Sequence, residues 1–241
     1  LIFNEMTMEE FKIIFYWEYF HRFLGRLIGL FFLIPLIFFH FYGKINKKYI
    51  YTCYLIFILI VTQGVVGWFM VKSGLINNIT VSHYRLSMHL TLAFLIISIL
   101  FWLILNFKEN VNNKFIVNNT KNYKYYFLLF MIYLQIVFGA FVSGLDAGKL
   151  YQTWPLMNYT YFPDDVIITS FKDLFNFKNH GLVQFYHRNI AYFITIYILL
   201  LGFFIYKKDK RKLFKPFVYS LIFLFFQVFL GIVTLMSGLN I

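Results

Sequence analysis

The sequence predicts an all-α integral membrane protein, and three observations predict it. Of 241 residues 61% are hydrophobic and only 13% charged. The apolar residues gather into six runs of membrane-spanning length, and the basic residues are concentrated in alternate loops between those runs. A mean hydropathy of +0.69 does not describe a soluble surface, so soluble enzymes and soluble nucleic-acid binders are excluded.

The chain opens with an amphipathic stretch, residues 1–17, in which Thr7-Met8-Glu9-Glu10 reads as a helix start. Thr7 is placed to cap the first turn and Glu10 to close a capping box. Six apolar runs follow, at about 20–42, 49–71, 87–107, 125–145, 186–206 and 214–236, each near the ~20 residues a helix needs to cross a bilayer. The first, third and fifth loops carry Lys44, Lys47 and Lys48; Lys108, Lys114, Lys121 and Lys124; and Lys207, Lys208, Lys210, Arg211, Lys212 and Lys215. All acidic residues except Glu109 and Asp209 fall in the opening stretch, the mouth of the first run or the long fourth connection. The positive-inside rule therefore puts the lysine-rich loops inside, with both chain ends and the connection Asp146 to Gln184 outside. The net charge of +12 is then a matter of topology, with no nucleic-acid partner implied. Cys53, the single cysteine, lies in an apolar run and reads as a packing residue.

Ionisable residues are costly in such segments, which makes them the candidates for function. Glu18-Tyr19-Phe20-His21-Arg22 places a carboxylate and a histidine at i and i+3, on one face of the first span. His21, His89 and His187 each fall near the start of a helix that begins on the outer side, and so at matched depth. His40 is expected at the inner end of its helix, and His83 and His180 in outer loops, with no ligand role.

An internal repeat organises these residues. Gln63-Gly64-Val65-Val66-Gly67 and Gln227-Val228-Phe229-Leu230-Gly231 are each followed, at one offset, by Ser-Gly-Leu, at Ser73 and Ser237, and a third copy, Gln135-Ile136-Val137-Phe138-Gly139, is followed by Ser143-Gly144-Leu145. Glu18 to Arg22 recurs as Gln184-Phe185-Tyr186-His187-Arg188. The glycines suit close helix approach. Aligning the halves predicts two four-helix repeats, of which this chain carries six helices of eight, without the first and the last.

Two histidines at equal depth on neighbouring helices suit the two axial positions of a heme iron, and His21 with His89 makes such a pair. Arg22, Arg26, Arg85 and Arg188 suit either heme propionates or lipid headgroups. Glu18 has the non-ionisable Gln184 as its counterpart, which suggests one heme that is acted upon and one that only carries electrons.

On these residues the chain resembles heme A synthase of the mitochondrial and alphaproteobacterial type, the cytochrome c oxidase assembly family. The matching stretches are Asn4 to Lys12, Glu18 to Arg22, Gly67 to Leu75, Val81 to His89, Phe138 to Gly148, Thr153 to Met157 and Gln184 to Arg188. The resemblance implies an eight-helix oxidoreductase that converts the C8 methyl of heme O to a formyl, giving heme A, by successive hydroxylation and loss of water. It implies that His21 and His89 hold the substrate heme in an N-terminal half-bundle, 18–124, with Glu18 serving the oxidation. His187, with a partner histidine outside this chain, would hold a heme b cofactor in a C-terminal half-bundle, 125–241. The implied partners are the lipid bilayer, heme O and its synthase, and an electron donor such as a ferredoxin, with a homo-oligomer left open. No cysteine pair lies between Asp146 and Gln184, which favours a multi-pass protein of the mitochondrial inner membrane over one of a bacterial plasma membrane. The competing functions are a bis-histidine membrane cytochrome b that carries electrons and a non-catalytic factor that delivers heme.

Overall fold

Thr7 starts the first helix as its spacing predicts. Its hydroxyl accepts the Glu10 amide, and the Glu10 carboxylate accepts the Thr7 amide at 2.8 Å. The architecture comes from a computed structural model, which describes residues 7–74, 81–108, 122–207 and 211–238. Expectations placed on Asn4, Leu75, Lys114, Lys121, Lys208 and Lys210 lie outside the described residues.

The described chain is helical: α1 (Met8–Phe41), α2 (Lys47–Gly74), α3 (His83–Lys108), α4 (Tyr123–Gly144), α5 (His180–Lys207) and α6 (Arg211–Met236), with two short 3-10 turns in the connection between α4 and α5. The shortest, α4, has 22 residues. At a rise of ~1.5 Å per residue it still exceeds the ~30 Å of bilayer hydrocarbon. All six helices are long and apolar enough to cross a membrane. Most of their apolar surface is exposed, least so on α5 and most on α6, as expected of side chains that meet lipid. The protein is a multi-pass membrane protein.

The helix that Thr7 starts runs unbroken from Met8 into the apolar stretch, because neither glycine nor proline interrupts it there. Two sequence expectations are corrected. His180 opens α5 instead of lying in the loop, since the Asn179 side chain accepts the Leu182 amide at 2.8 Å and caps the helix. His83 likewise begins α3, with the amides of Arg85 and Leu86 bonded to the Ser82 carbonyl.

The chain divides into two units, Leu1–Val117 and Asn118–Ile241. In the first, the core lies between α2 and α3. Tyr49 and Ile56 recur at i and i+7 on α2, against Ile96, Ile99 and Leu103 at i, i+3 and i+7 on α3. Cys53 packs at its edge, as a packing residue should. Lipid tails are as apolar as these side chains, so close packing holds the helices together more than expulsion of water does. In the second unit Phe138 and Phe141 of α4 enclose Val183 of α5, and Phe177 from the connection closes that cluster. Gly202 brings α6 close to α5: a Cβ there would overlap the Phe217 ring.

Candidate functional site

In the first unit α1 and α3 bring His21 and His89 together edge-on, their ring centres 6.4 Å apart and their planes at 66°. Glu18, one turn before His21, sits at the exposed helix face and accepts from Arg22 Nη1 at 3.2 Å. Arg85 stacks over the Phe69 ring at 4.6 Å, which ties the start of α3 to the end of α2. Arg26 lies one turn beyond Arg22 on the exposed face of α1.

Two of the three candidate histidines meet a glutamine from a neighbouring helix. Gln63 of α2 places its amide nitrogen 3.3 Å from His89 Nε2 and 3.0 Å from the His89 carbonyl oxygen. In the second unit Gln135 of α4 places its amide nitrogen 3.1 Å from His187 Nδ1 and 3.3 Å from Nε2. Sequence reasoning aligned both glutamines in the repeat yet gave them no part in the site. The signal was present: a polar side chain four residues before a glycine on an otherwise apolar helix puts both on one face.

The His21–His89 pair passes a donor test for an axially ligated heme. Two metal–nitrogen bonds of about 2 Å, plus the distance from each bonded nitrogen to its ring centre, come close to the separation seen. His89 Nδ1 is buried and has no hydrogen-bond partner, so one ring nitrogen meets the amide and the other is left for a metal.

Around His187 the connection from Asp146 to Asn179 is fastened to the first turns of α5. Arg188 Nη2 donates to the Tyr151 carbonyl at 2.8 Å, and Nη1 to those of Thr153 at 2.9 Å and Leu156 at 3.3 Å. Gln184, the counterpart of Glu18, is buried and donates to the same Tyr151 carbonyl at 2.9 Å. The Tyr186 hydroxyl donates to the Leu174 carbonyl, and that of Tyr161 to Asn189 Oδ1. Gln184 therefore holds a loop where Glu18 pairs with a cation.

Two expected results follow for this connection. Arg188→Ala removes three charged hydrogen bonds at once and leaves the Thr153 carbonyl bare, while Gln184 still donates to the Tyr151 carbonyl and the Thr153 hydroxyl to that of Leu156; it should cost about 2–3 kcal/mol of local stability, against about 1 kcal/mol for Gln184→Ala. Limited proteolysis should then cut between residues 150 and 160 much faster in the arginine variant, and equal rates would contradict the assignment. The second concerns Asp173, whose carboxyl is held below the ordinary aspartate value because the amides of Ser170 and Thr169 and the Thr169 hydroxyl donate to it. A depressed folded value means that its stabilisation is complete above the unfolded value and fades as pH falls through the folded one. Hydrogen-exchange protection of the Thr169 and Ser170 amides should drop in strong acid, and Asp173→Asn should abolish that pH dependence.

His21, expected near a helix start, lies 13 residues into α1, because that helix begins at Met8. The fold and site define a class: a polytopic helical membrane protein that brings two histidines together from different helices. The family model described as cytochrome oxidase assembly protein matches residues 1–241, and the chain belongs to that family. Its curated relatives include the heme A synthase of Pelagibacter ubique, 46% identical over 245 residues that cover 98% of this chain and 69% of the relative. The heme A synthase of Flavobacterium psychrophilum is 40% identical, with 98% and 70% covered, and that of Rickettsia bellii 38%, with 96% and 69% covered. No solved structure matches.

Proposed function

We propose that this chain is a heme A synthase, which oxidises the C8 methyl of heme O to a formyl group. The observation that carries the reading is the His21–His89 pair, 6.4 Å between ring centres, with a carboxylate one turn away, in a chain of this family. The first unit takes heme O as substrate, with His21 and His89 as its axial ligands. The second takes heme b as cofactor through His187, whose opposite ligand has no assigned residue. When bound, heme b supplies one-electron chemistry; the protein's part is to hold, orient and move protons.

Glu18 is the group in position to act on protons. Taking a methyl carbon through the alcohol to the aldehyde level releases protons and develops positive character at that carbon. A carboxylate beside the ligand accepts the former and stabilises the latter. Arg22 and Arg26 sit on the exposed side of α1, where a propionate would meet water, and Arg85 is half-buried over the Phe69 ring, while Arg188 spends its guanidinium on the Tyr151 to Leu156 carbonyls. An electron donor such as a ferredoxin and supply of heme O by its synthase belong to the scheme, together with an external oxidant that takes up the four electrons of the methyl-to-formyl change. Residence in a mitochondrial inner membrane, with a bacterial plasma membrane as the alternative, belongs to the same reading.

The test is to express the chain in cells that make heme O, extract the heme and separate it by chromatography. Heme A is the expected product. Bound heme O that never changes would replace the synthase reading with that of a carrier.

A further inference from the structure

Two different helix pairs, α2 with α3 and α4 with α5, present the same arrangement to a histidine, and the repeat that builds it is Gln-x-x-x-Gly. Gln63 and Gly67 face His89, and Gln135 and Gly139 face His187. A Cβ at Gly67 would lie 3.0 Å from His89 Cε1, and one at Gly139 3.2 Å from His187 Cε1. Gly25, Gly64 and Gly231, also within helices, would meet nothing within 4 Å. A glycine inside a helix costs about 1 kcal/mol relative to alanine, and at these two positions the cost is offset by room for an imidazole edge.

The polar inventory is incomplete in a matching way. Gln63 Oε1 and Gln135 Oε1 are both buried without a hydrogen-bond partner, and so is His89 Nδ1. A neutral imidazole that gives one nitrogen to a metal carries a hydrogen on the other and needs an acceptor for it. A half-turn of the terminal amide exchanges nitrogen for oxygen and presents that acceptor at the ring; at Gln63 it gives up the 3.0 Å bond from the amide nitrogen to the His89 carbonyl.

We propose that Gln63 and Gln135 are positioning residues for the heme ligands His89 and His187: each amide oxygen takes the N–H of the ring nitrogen that does not face iron, and Gly67 and Gly139 clear the space in which the ring is held. The amide thereby sets ring orientation and tautomer and raises ligand basicity. This rests on the reading of His89 and His187 as iron ligands.

The test titrates hemin into the full chain in detergent, in a His187→Ala background so that one ligand pair remains, and follows the Soret band and the midpoint potential of the bound heme. Gln63→Leu should weaken hemin binding by about 10–100-fold and alter the low-spin signature. Gln63→Glu, which keeps an acceptor and adds charge, should restore binding and shift the potential downward, because an anionic partner favours ferric iron. Gly67→Val, which pushes on the ring and leaves the amide intact, should weaken binding as Gln63→Leu does. It also serves as the second variant if Gln63→Leu does not fold. Hemin affinity and potential unchanged in Gln63→Leu, with only the thermal midpoint of the apo chain lowered, would mean that the amide is polar packing and would overturn the proposal. His89→Ala separates the two levels. If it binds hemin like its parent, the ligand reading falls and takes this inference with it; if it abolishes binding while Gln63→Leu does not, only the inference falls.

Discussion

Glu18→Gln should retain its heme and make almost no heme A. The substitution keeps the size of the side chain and its position one turn before His21, and removes the capacity to ionise. What is lost is the ion pair to Arg22 and any proton transfer. The pair is worth little, since both side chains are substantially exposed and exposed pairs contribute roughly 0–1 kcal/mol. The fold should therefore survive with an unchanged thermal midpoint. Proton transfer by a positioned carboxylate contributes typically about 10²–10⁴-fold, so turnover should fall by that order while hemin affinity stays within a few-fold. Heme extracted from the variant should be heme O or a product at the alcohol level. The second half of the chain already carries this substitution in nature, at Gln184, where the amide holds the Tyr151 carbonyl instead. Heme A formed at the wild-type rate in Glu18→Gln would leave the carboxylate as an interfacial anchor.

His21→Ala and His89→Ala should each empty the first unit of heme, and His187→Ala should not. The two rings meet edge-on from α1 and α3, so loss of either leaves one axial position without its protein ligand. The affinity lost should exceed the ~10–100-fold that removal of a supporting partner costs. Neither histidine belongs to the α2–α3 core of Tyr49, Ile56, Ile96, Ile99 and Leu103, so helix content by circular dichroism should hold. The two sites are separable by count: a pyridine hemochrome assay should lose the same heme in either first-unit variant and a different one in His187→Ala. If His21→Ala and His187→Ala each reduce total heme only in proportion to protein recovered, the ligand assignments fail.

Much of this protein was legible before any coordinates. Six spans followed from run length, because a bilayer of fixed thickness demands about 20 apolar residues and tolerates few charges. The candidate ligands followed from the cost of ionisable groups at that depth, which leaves few histidines needing an explanation. Helix ends were less legible. The start at Thr7 was legible from its capping box, but His180 was read as a loop residue because hydropathy reports where lipid begins, whereas the helix begins at its cap, at Asn179.

What composition and spacing determined by themselves was the membrane class, the repeat, and the residues on which chemistry would have to depend. Matched depth could suggest His21 with His89, but it could not set how far apart the two rings stand, since nothing along the chain states which helices lie side by side. Only packing of α1, α2 and α3 sets that 6.4 Å separation. Nor could composition and spacing show what the glutamines of the repeat meet. Gln63 and Gln135 reach a ring because Gly67 and Gly139 let the next helix bring its histidine in. The physical reason is that hydropathy and spacing are properties of one segment, whereas a contact between side chains exists only where two backbones come close enough, and that distance is decided in the tertiary structure.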